Sequence, residues 1–124
     1  MSTKQKPLLC LDFDGVIHSY SSPWVDAVTI SDPPVPGAIE FLQEAVNHFR
    51  VAIYSTRSNT TNGRAAMKEW LVGYSSRELV DSLEWPTEKP PALVTIDDRA
   101  LTFTGVFPDI EMLMKFKPWN RTGC

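Results

Sequence analysis

What the sequence lacks excludes several classes of protein. The 124 residues include two cysteines, Cys10 and Cys124, and contain no CxxC pair and no cluster of cysteine and histidine. A disulfide framework and a structural zinc site are therefore not expected. No apolar run approaches the roughly 20 residues that a membrane-spanning helix needs. The polar segment from Met1 to Pro7 precedes four apolar residues and then aspartates, so we expect no secretory signal peptide.

Charge of one sign is also lacking. Twelve lysines and arginines face 15 aspartates and glutamates, for a formal net charge of −3. This balance gives no broad attraction to nucleic acid or to an anionic membrane surface. With 43% hydrophobic and 22% charged residues, the composition is typical of a globular protein. The length suits one hydrophobic core, so we expect a single cytoplasmic domain over residues 1–124.

The apolar segments that are present predict an α/β fold. Three short runs are typical of buried strands in a parallel sheet: Leu8–Leu11, Val51–Tyr54 and Ala92–Ile96. Helices are predicted from Pro36 and Gly37 to about Phe49, from about Asn62 to Val72, over Ser76–Leu83, and from Pro108 to Met114. Gly73 is predicted to stop the second helix, and residues 19–36, with four prolines, are predicted to form an ordered loop. Alternating strands and helices indicate a parallel sheet with right-handed crossovers.

Polar side chains follow each predicted strand. Asp12 and Asp14 follow the first, Ser55 to Arg57 the second, and Asp97 and Asp98 the third. Because the carboxyl ends of parallel strands share one edge of the sheet, we expect these groups to lie together. Four neighbouring carboxylates need a compensating cation, and hard oxygen ligands favour Mg²⁺. The sequence therefore predicts a magnesium site at this edge.

Four segments, in order along the chain, resemble the motifs of the haloacid dehalogenase superfamily. Asp12-Phe13-Asp14-Gly15-Val16 resembles the first motif, DxDG[VT], and Ile53-Tyr54-Ser55 resembles the second, a strand ending in Ser or Thr. Lys89 resembles the third motif, and Ile96-Asp97-Asp98 resembles the fourth, an apolar strand ending in paired acids. The resemblance spans Leu8 to about Gly105. It implies a single Rossmann-like three-layer domain with a central parallel sheet.

The resemblance also implies an activity, a Mg²⁺-dependent phosphohydrolase that works through an aspartyl-phosphate. Asp12 would attack phosphorus. Asp14 would protonate the leaving oxygen and then activate the hydrolytic water. Family members that attack carbon usually lack this second carboxylate, so its presence favours phosphate chemistry. Ser55 would donate a hydrogen bond to the phosphoryl group, and Lys89 would neutralise its charge.

The metal ligands implied by the resemblance come from the first and fourth motifs. Mg²⁺ would be held by Asp12, by the backbone carbonyl of Asp14 and by Asp98, with water and substrate completing the octahedron. Asp97 would orient Lys89 or a metal-bound water. Which of Asp97 and Asp98 contacts the metal directly is left open by the sequence.

Four further residues are candidates for binding phosphate or substrate. Gly15 permits a sharp turn and leaves backbone amides free for phosphate oxygens. Arg57, with Thr56 beside it, completes a Ser-x-Arg arrangement that resembles polynucleotide phosphatases, where arginine clasps phosphate; the alternative is a surface ion pair. His18 contacts substrate from the loop or serves as a structural hydrogen-bonding group.

Each catalytic candidate has a plainer interpretation. Asp12 and Asp14 are also suited to a turn, Ser55 to a turn, Lys89 to the solvated surface, and Asp97 with Asp98 to an ion-paired helix start. The ordered set of motifs favours the functional interpretation over these.

The spacing of the motifs leaves no room for a separate cap domain. The segments from Val16 to Arg50 and from Ser58 to Glu88 hold one loop and about three helices, so we expect an open site, with Trp24 and its neighbouring prolines as a stiff partial flap. The favoured substrate is a phosphorylated small molecule. The alternatives are a nucleic-acid end, supported by the Ser-x-Arg arrangement and the open site but not by the acidic charge, and a non-catalytic binding module that retains the fold. No membrane partner is expected.

Overall fold

The structure is a computed structural model and describes residues 6–119. Within this range it contains three strands and four α-helices in the alternating order of an α/β protein. The elements are β1 (Leu8–Leu11), α1 (Ala38–Ala45), β2 (Arg50–Ile53), a 3₁₀ turn (Thr56–Asn59), α2 (Thr61–Tyr74), α3 (Arg77–Asp81), β3 (Val94–Ile96) and α4 (Ile110–Met114). The predicted α/β class is thereby confirmed.

The three strands form a small parallel sheet in the order β2-β1-β3, so that β1 is central. Cys10 of β1 is in register with Ala52 on one side and Thr95 on the other. The ladder continues past β1, because the amide of Asp12 donates to the carbonyl of Ile96 at 2.9 Å. The carboxyl ends of all three strands therefore meet at one edge, as predicted.

The hydrophobic core anchors the strand that carries the first motif. Leu9 and Leu11 of β1 are buried together with Leu42 of α1 and with Met67 and Leu71 of α2. Each such side chain contributes about 1.5–3 kcal/mol when it is fully removed from water. Asp12 therefore directly follows a strand that the hydrophobic core holds in place. Within the described residues, no helix has the length and apolar character of a membrane span.

The third strand differs from its prediction. We expected a buried strand over Ala92–Ile96, but β3 is shorter, and Val94 and Ile96 are 48% and 40% exposed. The prediction of burial is wrong because β3 pairs with β1 alone among the described strands and lies at the edge of the sheet. The residues after it do not cover it, since Leu101 and Phe107 are themselves largely exposed.

Two helix ends also differ. Helix α1 ends at Ala45 instead of near Phe49, because the chain tightens there: the amide of His48 donates to the carbonyl of Ala45, three residues back. The prediction that Gly73 stops the second helix is wrong, since α2 continues to Tyr74. Ser75 ends it, and both its amide and its hydroxyl donate to the carbonyl of Leu71. The loop over residues 19–36 is irregular, as predicted.

Candidate active site

Asp12, Asp97 and Asp98 come together at the carboxyl edge of the sheet. Each offers a carboxylate oxygen, and these oxygens lie within 4.8 Å of one another. Asp12 is fixed at the end of β1, where its Oδ1 accepts a hydrogen bond from the amide of Phe13 at 2.8 Å. Asp97 is exposed and its Oδ1 accepts from the amide of Arg99 at 2.8 Å, whereas Asp98 is half-buried.

The electrostatics of this cluster favour either a proton or a cation among its carboxylates. Burial, a hydrogen bond with Asp98 and the charges of Asp97 and Asp98 together raise the pKa of Asp12 from 3.8 to about 8. Carboxylates so close together cannot all ionise without a compensating charge. In addition, Asp98 Oδ1 is buried and has no hydrogen-bond partner among residues 6–119. A buried oxygen without a donor and an all-oxygen ligand set both fit Mg²⁺.

Gly15 is required for the approach of Asp98. Its φ of 86° lies in the left-handed region, and a Cβ built on it would overlap Asp98 Oδ2. Contrary to expectation, its own amide is not free for a phosphate oxygen, because it donates to the carbonyl of His18 at 2.8 Å. The carbonyl of Gly15 accepts from Trp119 Nε1 at 2.7 Å, which ties the C-terminal part of the described chain to the first motif.

The side chain of Asp14 does not join the acidic cluster. Its Oδ1 faces His18 Nδ1 at 2.9 Å, and Arg57 Nε donates to Oδ2 at 3.0 Å and to Oδ1 at 3.2 Å. Burial alone raises the pKa of Asp14, but the hydrogen bonds from His18 and Arg57 outweigh it and hold the pKa below 3.8. The pKa of Asp12 is therefore raised and that of Asp14 is lowered. In acid–base sites, carboxylates whose pKa values differ in this way take different roles.

His18 is buried and lies beneath the cleft. Its Nε2 accepts a hydrogen bond from the amide of Asp32 at 3.0 Å. Because an amide can only donate, Nε2 carries the lone pair, and Nδ1 carries the proton that it donates to Asp14. The ring also stacks on Phe13 and meets Trp70 edge-on. This placement corresponds to the structural alternative for His18 and not to a substrate contact.

Arg57 is likewise buried, with 1% of its surface exposed. Besides the pair with Asp14, its Nη1 donates to the carbonyls of Asp26, Ala27 and Thr29, at 3.0 Å each. Its guanidinium carbon lies 4.6 Å from the centre of the Trp24 ring. Neither predicted role, phosphate clasp or surface ion pair, matches this geometry, because Nε and Nη1 both donate to groups of the protein and the residue is almost fully buried. No sequence signal marks these carbonyls as partners.

Ser55 and Lys89 do reach the cleft. A cavity of about 240 Å³ is lined by both, together with Asp12, Thr56 and Asp97. Ser55 caps the 3₁₀ turn, since its Oγ accepts from the amide of Arg57 at 3.0 Å. Its hydroxyl proton is directed at Met67 Sδ at 3.6 Å, a weak acceptor, so it remains available to a phosphate oxygen. Lys89 is exposed and has no ion pair with another described residue.

A second cavity of about 240 Å³ shares Asp12, Ser55 and Thr56 with the first and extends it toward Asp14 and Asp98. Its wall contains Trp24, which the sequence predicted as a partial flap, and two residues that the sequence did not predict as part of the site, Tyr20 and Arg99. Arg99 directly follows the fourth motif, a position that could have marked it. Tyr20 has a φ of 55°, which is uncommon for a residue with a side chain and is often found at functional sites.

Comparison with models of known protein families, with curated proteins and with solved structures finds no match to this chain. The resemblance to haloacid dehalogenases therefore rests on the four motifs and on the positions that their residues occupy.

Proposed function

We propose that this chain is a Mg²⁺-dependent phosphohydrolase of the haloacid dehalogenase type, with a Rossmann-like three-layer fold, that cleaves a phosphomonoester through an aspartyl-phosphate. One observation carries the proposal. Asp12, Asp97 and Asp98 cluster at the carboxyl edge of the parallel sheet, and Ser55 and Lys89 line the same cavity as Asp12. A hydroxyl donor, an ammonium group and a carboxylate cluster around one cleft are the groups that phosphoryl transfer needs.

The metal would be held by Asp12 and Asp98. Asp98 is favoured over Asp97 as a direct ligand, because its buried Oδ1 lacks a donor while Asp97 Oδ1 already accepts from the amide of Arg99. When bound, Mg²⁺ supplies positive charge that stabilises the transferring phosphoryl group. The geometry adds no side-chain ligand from Asp14, consistent with the expectation that only its backbone carbonyl takes part.

The chain's own residues then divide the work. The carboxylate of Asp12 would form a bond to phosphorus while the bond to the leaving oxygen breaks, and the leaving oxygen would take a proton from the carboxyl group of Asp14. Ser55 donates to a phosphoryl oxygen, and Lys89 balances the charge there. The proton transfer to the leaving oxygen leaves Asp14 as a carboxylate, the form that its lowered pKa favours, and the carboxylate would then remove a proton from the water that hydrolyses the aspartyl-phosphate.

A phosphorylated small molecule is the substrate we favour over a nucleic-acid end. The nucleic-acid alternative was supported by Arg57 as a phosphate clasp and by the open site, and the buried contacts of Arg57 remove the first of these. The formal charge of −3 gives no electrostatic attraction to a polyanion.

The test is release of phosphate in a Mg²⁺-dependent screen of phosphorylated metabolites, with 3′- and 5′-phosphorylated oligonucleotides alongside. The Asp12→Asn variant should lose activity by about three orders of magnitude or more, since the nucleophile is gone. Asp81→Asn, an exposed carboxylate at the end of α3, is the matched control and should retain parental turnover. EDTA should abolish phosphate release, and added Mg²⁺ should restore it. Parental turnover by Asp12→Asn, or activity that persists in EDTA, would contradict the proposal.

A further inference from the structure

We propose that Arg57 and His18 are positioning residues that fix the carboxylate of Asp14 to the loop formed by residues 19–36, here termed the clamp loop, and that neither contacts the substrate. The role in catalysis rests on the function proposed above for Asp14. The hydrogen-bonded connection between Asp14 and the clamp loop does not rest on that function, because it consists of contacts within the fold.

Two side chains grip Asp14 from different directions. Arg57 Nε donates to Oδ2 at 3.0 Å and to Oδ1 at 3.2 Å, and His18 Nδ1 donates to Oδ1 at 2.9 Å. Oδ1 is thus shared between both donors, whereas Oδ2 has a single donor. A carboxylate oxygen accepts more than one hydrogen bond, so Oδ2 retains a lone pair for a reacting proton. Asp14 lines a cavity with Asp12, where such a proton would be transferred.

Both donors are themselves held by the clamp loop. Arg57 Nη1 donates to three of its carbonyls, at Asp26, Ala27 and Thr29, and the ring of Trp24 covers the guanidinium. On the other side, His18 Nε2 accepts from the amide of Asp32, within the same loop.

Asp32 is fixed in turn. Its carboxylate accepts from the amide of Ser22 at 2.8 Å and from the Ser22 hydroxyl at 2.6 Å, and its carbonyl accepts from Trp70 Nε1 at 3.1 Å. The hydrogen bonds therefore run from the body of the protein through the clamp loop to Asp14, along two separate routes. A change in the clamp loop must move Asp14, and a change at Asp14 must release the loop.

Burial separates this role from phosphate binding. Arg57 and His18 are each 1% exposed. Arg57 lines neither cavity of the site, so turning its Nε or Nη1 to a phosphate there would break hydrogen bonds to the clamp loop or leave Asp14 as a buried charge without its partner. Removing one member of a buried ion pair costs several kcal/mol. The charges of Asp14 and Arg57 balance each other, and His18 adds no further charge because the amide of Asp32 imposes its neutral tautomer.

The first test measures how firmly the hydrogen bonds of Arg57 hold the clamp loop, and it does not require the protein to be an active enzyme. Amide hydrogen exchange is followed in the wild type, in Arg57→Lys and in Arg77→Lys, the last being an exposed control paired with Glu69 on the surface. Lysine keeps the charge but cannot donate to Asp14 and to three carbonyls at once. We expect Arg57→Lys to exchange about tenfold or more faster within residues 19–36, with α3 unchanged. Parental exchange across the clamp loop would overturn the proposal.

The second test separates positioning from binding. Turnover of an aryl phosphate, whose phenolate departs without a proton, is compared with an alkyl phosphate in Arg57→Lys and His18→Ala. Misplacement of Asp14 should lower kcat by about tenfold to a hundredfold with KM nearly unchanged. With the aryl ester, the initial burst of phenolate should persist while the later, water-dependent turnover slows.

Rescue and coupling complete the second test. His18→Asn keeps an amide donor near Nδ1 and should recover part of the turnover that His18→Ala loses. Combining Arg57→Lys with Asp14→Asn should add nothing to the loss from Asp14→Asn alone, because both act through one carboxylate. A rise of about tenfold in KM and in the inhibition constant of inorganic phosphate, with kcat retained, would show that Arg57 binds phosphate. A wild type that hydrolyses neither ester would defeat the proposed function and leave hydrogen exchange to decide the connection between Asp14 and the clamp loop.

Discussion

Gly15 and Asp98 lie so close together in the candidate site that there is no room for a methyl group between them. A Cβ on Gly15 would overlap Asp98 Oδ2, so Gly15→Ala must push Asp98 away from Asp12. We expect the Mg²⁺ concentration that gives half-maximal phosphate release to rise by about tenfold or more, since a displaced ligand weakens metal binding.

Gly37 provides a matched control for this substitution. Its φ of 88° is almost the same as that of Gly15, but nothing lies within 4 Å of a Cβ built on it. Gly37→Ala therefore carries the same backbone cost, about 1 kcal/mol, without moving Asp98. A Gly15→Ala variant whose Mg²⁺ dependence matches that of Gly37→Ala would show that Asp98 is not a metal ligand.

At the same scale, residues differ in how far the sequence could place them. Asp12, Asp97 and Asp98 were predictable as neighbours, because each follows a strand and parallel strands end at one edge. Arg57 and His18 were not, because their partners are backbone groups of an irregular loop. Neither hydrophobic periodicity nor motif spacing encodes the conformation of such a loop.

The glycines of α2 show how an element can mislead a sequence-based boundary. Gly73 ends a helix only if it adopts the left-handed conformation at its terminus, and no such φ occurs there. Since a Cβ on Gly73 meets nothing within 4 Å, Gly73→Ala should stabilise the protein by about 0.5–1 kcal/mol. Urea unfolding measures this difference.

Gly63, in the first turn of the same helix, gives the opposite expectation. A Cβ there would overlap the backbone carbonyl of Arg57, which cannot move without disturbing the 3₁₀ turn. Gly63→Ala should therefore destabilise the protein by about 1–3 kcal/mol. If both substitutions shift the unfolding midpoint in the same direction, the packing described for α2 is wrong.

The partial exposure of β3 shows how far the burial of a strand can be predicted from sequence. An apolar run of five residues indicates a strand, but it does not distinguish a central strand from an edge strand. That distinction depends on what the following segment covers, and Val94 and Ile96 remain partly exposed because the residues after β3 do not cover them and are themselves largely exposed.

For the whole molecule, the absence of a cap domain in residues 6–119 leaves the cleft bordered by the clamp loop, with Tyr20 and Trp24 in its wall. Arg57 and His18 are hydrogen-bonded to the backbone of this loop. In the proposed enzyme, a border held in this way would orient the reacting groups without the closure that a mobile lid requires.

The acidic cluster also links the stability of the whole molecule to pH and metal. In the metal-free protein the pKa of Asp12 rises from 3.8 to about 8, so folding binds a proton between these values. A raised carboxyl pKa gives stability that is present at low pH and lost as the pH rises through the folded value. The free energy of unfolding should fall between about pH 5 and about pH 8, by up to about 1.4 kcal/mol per pH unit. Asp14, whose pKa is lowered, affects stability only at more acidic pH.

Urea unfolding in EDTA across this range measures the slope. Asp12→Asn should flatten it, because asparagine does not titrate, and Asp81→Asn should leave it unchanged since that carboxylate lies outside the cluster. Mg²⁺ binds the ionised carboxylates of the folded state, so it should restore stability most strongly at the alkaline end. A wild-type profile as flat as that of Asp12→Asn would mean that the three carboxylates do not share one site, and the proposed metal centre would fall with it.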